Sequence, residues 1–121
     1  MDRTAPRNIF ENCSGVGDVL SRVGDKWTVQ VVVVLHQEPR RFNALKKLVP
    51  GISQQMLTRT LKALERDGLV KRTVHDTTPP QVEYSLTQLG LSLSKPVRHL
   101  AEWAIEHRMV IGRYRRDFDR R

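Results

Sequence analysis

The sequence predicts a single mostly helical domain that carries one small β-hairpin, an α+β class. Three observations lead there. Apolar residues recur at helical spacing in five separate stretches, whereas one stretch alternates apolar and polar residues on either side of the turn-rich "TTPP". A chain of 121 residues at 39% hydrophobic content supports one modest core, small enough that dimerisation would add useful buried surface.

The elements follow in order. Residues 1–12 are polar, contain Pro6 and show no apolar period, so they read as an N-terminal arm. "VGDVLSRVG" places Val16, Val19, Leu20 and Val23 at helical spacing before Gly24, a short helix whose stripe needs something to pack on. "DKWTVQVVVVLHQ" pulls two ways, because Val29 and Val31 to Val34 favour a strand by propensity. Asp25 is a good N-cap, Trp27, Val31, Val34 and Leu35 fall on one face, and the run is long for a strand, so a helix is expected. "EPRRFNALKKLVPG" gives a third helix, with Phe42, Leu45, Leu48 and Val49 on one face and Pro50-Gly51 to stop it.

The fourth stretch, "ISQQMLTRTLKALERDGLVKR", is the most informative. Ser53 can cap a helix over 53–67, while Ile52 and Leu57 sit at the two positions of a hydrophobic staple and Gly68 ends it. At roughly 100° per residue, Leu57, Leu61 and Leu64 form one stripe, and Gln55, Arg59, Lys62 and Arg66 lie nearly opposite. "LVKRTVHD" and "QVEYSLT" then read as a hairpin over 70–86. Thr87 caps a last helix in which Leu89, Leu93, Val97, Leu100 and Ala104 keep the helical period, and Pro96 is expected to kink or restart it. Trp103, Ile105 and Met109 widen its apolar surface. On so small a domain that stripe is expected to be buried by a second subunit, with Leu93, Val97, Leu100, Trp103 and Ala104 as the candidate dimer interface. The basic tail, residues 112–121, ends in "RYRRDFDRR" and reads as a solvated, frayed end, with DNA contact or dimer salt bridges as the alternative.

Two helices joined by a short glycine-containing turn, the second basic outward and followed by a hairpin, make a winged helix-turn-helix. A formal charge of +8 and a pI near 10.4 favour a polyanionic partner, because each neutralised phosphate releases condensed counterions. Chemistry then assigns roles. Gln54 and Gln55 can pair bidentately with adenine, Arg59 with guanine O6 and N7, and Thr58 can touch a thymine methyl. Arg41, Ser53, Lys62, Lys71, Arg72 and His75 suit the phosphate backbone and the wing. Arg40, Arg41, Lys62 and Arg66 also have a plain reading as solvated surface charge.

Other classes fit less well. Nothing approaches the ~18 uninterrupted apolar residues of a membrane span, the start "MDRTAPRNIF" lacks the apolar middle of a signal peptide, and a lone Cys13 cannot make an internal disulfide. No membrane association and a cytoplasmic location are therefore expected. His36, His75, His99 and His107 pair with no cysteine at zinc spacing, and "GVGDVLSRVG" has the wrong glycine intervals for a nucleotide loop, so neither a metal, a cofactor nor catalysis is expected. The remaining alternative is a sequence-indifferent architectural DNA-binding or RNA-binding protein. That role would call for lysine and arginine more than for a Gln-Gln-x-x-Thr-Arg cluster, and 6% aromatic residues without basic interleaving disfavour stacking on single-stranded RNA.

The run from Lys26-Trp27-Thr28 through "RRFNALKKLVPGISQQMLTRTLKALERDGLVKRTV", then "PPQVEYSLTQLG" and "PVRHLAEWA", resembles the HxlR-type branch of the MarR-like winged-helix transcriptional regulators. It covers about Cys13 to Ala104, and the domain is expected to span residues 13–111. The resemblance implies a homodimer built from terminal helices, with one recognition helix per subunit in successive major grooves of double-stranded DNA and half-sites ~34 Å apart. In oxidant- or electrophile-sensing members of that family, a cysteine near the N-terminus and the dimer interface is the reactive thiol. Cys13 falls in that region, although Ser14 stands where the family commonly has proline and the spacing to Trp27 is one residue longer. The competing reading of Cys13 is a buried small hydrophobe. No feature of the sequence identifies a small-molecule effector.

Overall fold

The computed structural model describes residues 10, 11 and 13–121. The arm expected over residues 1–12 lies outside the described residues except for Phe10 and Glu11. Five helices and a three-stranded antiparallel sheet follow in the order α1 (Val16–Val23), α2 (Lys26–Gln37), β1 (Arg40–Arg41), α3 (Phe42–Leu48), α4 (Gln54–Arg66), β2 (Val70–His75), β3 (Gln81–Leu86) and α5 (Gln88–Asp119). The winged helix-turn-helix arrangement is present.

The valine run is helical because its N-terminus is capped and its sides are covered. The Asp25 carboxylate accepts from the Trp27 and Thr28 amides, both at 3.1 Å, satisfying two donors that a helix start leaves open. Val31, Val32, Leu35 and Thr28 are buried, so α2 is the central helix of the core, packed against α5, α4, α3 and β3. Burial on more than one side outweighs β-propensity here. One polar tie crosses from it to α5. The Ser94 hydroxyl donates to the Leu91 carbonyl at 2.6 Å and so accepts from His36 Nδ1 at 3.3 Å.

In α3, Leu45 and Val49 are buried but Leu48, expected on the same face, is exposed. The helix stops at Leu48, and Val49, already extended at φ −103°, ψ 101°, turns into the core instead. The two-residue strand β1, absent from the sequence reading, pairs Arg40 with Tyr84 and Arg41 with Glu83 and closes the outer side of β3.

A compact junction joins α4, the wing and α5. Gly68, at φ 75°, donates to the Glu65 carbonyl and Leu69 donates to the Leu64 carbonyl, a left-handed helix end that turns the chain into β2. The Thr87 hydroxyl accepts from the Gly90 amide at 3.1 Å and donates to the Gly68 carbonyl at 2.6 Å, while the Thr87 amide bonds the Leu69 carbonyl. Gly90 packs so closely that a Cβ there would lie 2.1 Å from the Leu69 carbonyl oxygen.

The last helix departs from expectation at two points. It does not restart at Pro96 but continues as helix through it, with Ser94 and Val97 on either side buried, and exposed Ser92, whose carbonyl loses its amide partner, can bond water. The end is not frayed either. Helix continues to Asp119, supported by Arg116 in the last turn and an Asp117–Arg120 pair at 3.9 Å.

Gly90→Ala should destabilise the fold by about 3 kcal/mol, because backbone must move to admit the methyl, whereas Gly68→Ala should cost about 1 kcal/mol through its left-handed angle alone. Urea unfolding monitored by circular dichroism checks the order; equal losses would contradict the close approach at Gly90.

Candidate nucleic-acid interface

The face of α4 that leaves the core is built by the same stripe that anchors it. Leu57, Leu61 and Leu64 are at most 2% exposed, and Ile52, just before the helix, is also buried and completes the hydrophobic staple with Leu57. Four leucine and isoleucine anchors fix the rotation of the helix, so the opposite face is presented as a rigid surface. Gln54, Gln55, Thr58, Arg59 and Lys62 line one shallow concavity on that face, and all five are exposed. The Ser53 hydroxyl caps α4, accepting from the Met56 amide at 3.0 Å. Its own hydrogen remains available to a phosphate at the positive end of the helix.

A second concavity joins α4 to the wing, lined by Phe42, Gln54, Thr58, Leu61, Lys62, Glu65, Arg72 and Tyr84. Arg72 pairs across β2 and β3 with Tyr84, so both stand on the wing face turned toward α4. The structure thus brings Lys62 and Arg72 to the flank of the four candidate base readers. Lys71, one residue earlier, is exposed on the opposite face of the pleat and is separated from that group. His75 lies at the hairpin end with Nε2 3.3 Å from Glu83 Oε1, and Arg41 donates to the Gln81 side-chain oxygen, which draws its guanidinium onto β3. Arg40 is half-buried between Gln37 and Glu38 rather than a free surface cation. Arg66 lies elsewhere: with Arg22 and Asp67, paired at 3.1 Å, it lines a groove of about 830 Å³ between α1 and α5.

The profile of the HxlR-like helix-turn-helix family matches residues 22–111. This chain belongs to that family. The HxlR-like chain is 40% identical over 96 residues to the HTH-type transcriptional regulator YtfH of Escherichia coli (strain K12), covering 79% of this chain and 76% of that one. Its structure is similar to that of a transcriptional regulator, ytfH from Salmonella typhimurium, with a TM-score of 0.79 at 37% identity over 92% of this chain and 99% of that one. It is also similar to the redox regulator HypR in its reduced form, with a TM-score of 0.74 and 39% identity over 84% and 100% of the two chains. The protein is therefore a transcriptional regulator of the helix-turn-helix type. Among the described residues, no helix is long and apolar enough to cross a membrane.

The remaining candidates fall in other parts of the HxlR-like chain. Cys13 is exposed just ahead of α1, with its amide donating to the Phe10 carbonyl at 3.2 Å, so the buried reading does not hold within one subunit. Along α5, Leu93 is partly buried and Val97 is 4% exposed in the subunit's own core, while Leu100, Trp103 and Ala104 face outward. Val97 joined the exposed stripe in the sequence reading because periodicity shows a face but not where along a helix its cover ends. Two exposed cations were missed: Lys46 and Lys47, in the last turn of α3 beside the turn into α4. The "KK" pair was the available signal.

Ser53→Asp should leave stability within about 0.5 kcal/mol, since aspartate caps as well as serine, and Ser53→Ala should cost about 1 kcal/mol. Duplex binding should fall at least tenfold in Ser53→Asp, where a carboxylate meets the phosphate. Thermal melts and fluorescence anisotropy separate the two effects, and unchanged affinity in Ser53→Asp would place no phosphate at this helix end.

Proposed function

We propose that the protein is a homodimeric, sequence-specific regulator that reads an inverted-repeat operator. Gln54, Gln55, Thr58 and Arg59 contact base edges in the major groove. Ser53, Lys62 and Arg72 hold the backbone beside that group, with Arg41 on β1 and His75 toward the hairpin tip as outer phosphate contacts, and Lys71, on the other face of the pleat, meets phosphate only outside it. The observation that carries this reading is the exposed amide, hydroxyl and guanidinium group on one rigid face of α4, flanked by Lys62 and Arg72. An architectural binder has no use for that amide-rich centre.

Selection of bound duplexes from a random-sequence pool at near-physiological salt should enrich an inverted repeat with half-sites ~34 Å apart. Retained binding without an enriched motif would favour the sequence-indifferent reading. On the selected operator, Arg59→Ala should cost ~1–3 kcal/mol and relax one base position, whereas Lys62→Ala and Arg72→Ala should weaken all duplexes alike and flatten the salt dependence. A uniform loss from Arg59→Ala would remove it from the readers.

A thiol response through Cys13 is the finer part of the proposal. Its exposure and the similarity to a redox regulator support it. As the only cysteine of the chain, it can form a disulfide only with another molecule. Diamide should change operator affinity of the parent protein and leave Cys13→Ser unaffected; equal responses in both would end this reading.

A further inference from the structure

The far end of α5 differs in charge from the rest of the chain. After Lys95 all fixed positive charges are arginines, and residues 112–121 hold five of them against two aspartates. This segment lies past residue 111, where the match to the family profile stops, so the shared domain does not account for it. The helix continues through it to Asp119. At about 100° per residue, Arg113, Arg116 and Arg120, spaced by three and then four, form one row, and Tyr114 and Phe118 lie nearly opposite. The row is exposed over its whole length. Among the described residues, Arg113 and Arg116 meet no carboxylate, and Arg120 has only its contact with Asp117 at 3.9 Å. Nearer the domain the same face carries Glu102 and Glu106, so its charge turns positive only where the shared domain ends.

We infer that this arginine row binds the phosphate backbone of a duplex DNA segment other than the one under α4, so that the regulator holds two segments at once. The inference rests on the DNA-reading function proposed above and adds a second, sequence-independent contact to it. Residue type is the first argument. A planar guanidinium takes two phosphate oxygens in a fork, which a hydrated lysine ammonium does not. Surface character is the second. Between Arg113 and Arg120 the row holds no apolar residue, and so none of the anchors that a protein partner would bury. A duplex, with one charge per ~1.7 Å of axis, offers phosphate along the whole ~10 Å of the row. The dipole of the helix accounts for cations in the last turn alone, and Arg113 lies before it.

Placement is the third argument. α5 begins beside Gly68, at the end of α4 remote from Ser53 and the candidate base readers. It leaves the domain along α2. Arg113 is sixteen residues past Val97, the last buried residue of the helix, or roughly 24 Å farther along its axis. The row is thus carried off the face that α4 presents, which favours a second segment over the operator itself.

A bridging measurement on the full chain tests this. Immobilised operator duplex is saturated with protein, and a labelled duplex lacking the operator is added. The parent complex should capture the labelled duplex. The double variant Arg113→Gln, Arg116→Gln should cut that capture roughly tenfold or more and flatten its salt dependence by about two in logarithmic slope. The matched double variant Arg108→Gln, Arg115→Gln removes the same charge away from the row and should capture as the parent does. Operator affinity, measured separately by fluorescence anisotropy, should be equal in all three proteins. No capture by the parent, or equal losses in the two variants, would overturn the inference and leave the operator reading intact. Weakened operator affinity in the Arg113, Arg116 variant alone would put the row on the operator's own duplex and also overturn it. A parent protein that binds no operator would overturn that reading and the inference with it.

Discussion

The rest of the structure depends on the junction at Gly68, Thr87 and Gly90. One hydroxyl, on Thr87, bonds simultaneously to the carbonyl that ends α4 and the amide that begins α5. The missing Cβ of Gly90 lets the first turn of α5 rest on the backbone of Leu69. The helix α4, the wing and the long outer helix therefore meet within a few residues, with their relative angles set by backbone contacts rather than by long side chains. Side chains elsewhere can repack over a fraction of an ångström, but a carbonyl pressed against a glycine cannot.

From that junction, α4 divides its labour by angle. The leucine stripe carries the packing and leaves the outer face free of structural duty, so its polar residues can be chosen for chemistry. The flanking cations are less uniform than their charges imply. Lys62 and Arg72 stand beside the amides, Arg41 is held by Gln81, His75 by Glu83, and Lys71 points away from the group.

How much of this was legible depended on whether the cause was local. Asp25 and Ser53 cap their helices through hydrogen bonds two and three residues away, and both were readable, as was the hairpin around "TTPP". Asp25 even allowed four consecutive valines to be assigned to a helix against their propensity. Causes that lie in the fold were not readable. A two-residue strand such as β1 has no periodicity, and only pairing with β3 defines it. Pro96 would break an isolated helix, but packing around Ser94 and Val97 overrides it. Lys71 and Arg72 look equivalent as neighbours in sequence, and the pleat alone separates them. The assignment of Leu48 rather than Val49 to the surface likewise depends on where α3 stops. In the candidate interface, the residues on α4 were legible as one group because helical geometry places them together, while the approach of Arg72 to them depends on its cross-strand pairing with Tyr84.

The order of the sheet has a further consequence. With β3 in the centre, the outer edge of β2 has no strand partner among the described residues, displaying backbone donors and acceptors that could zip onto the same edge of another molecule. That edge strand carries Lys71, Arg72 and His75. Two such strands approaching each other would bring like charges together without any nucleic acid to neutralise them. The cations of the wing thus also oppose edge-to-edge pairing, and substituting them all with neutral residues would lower colloidal stability.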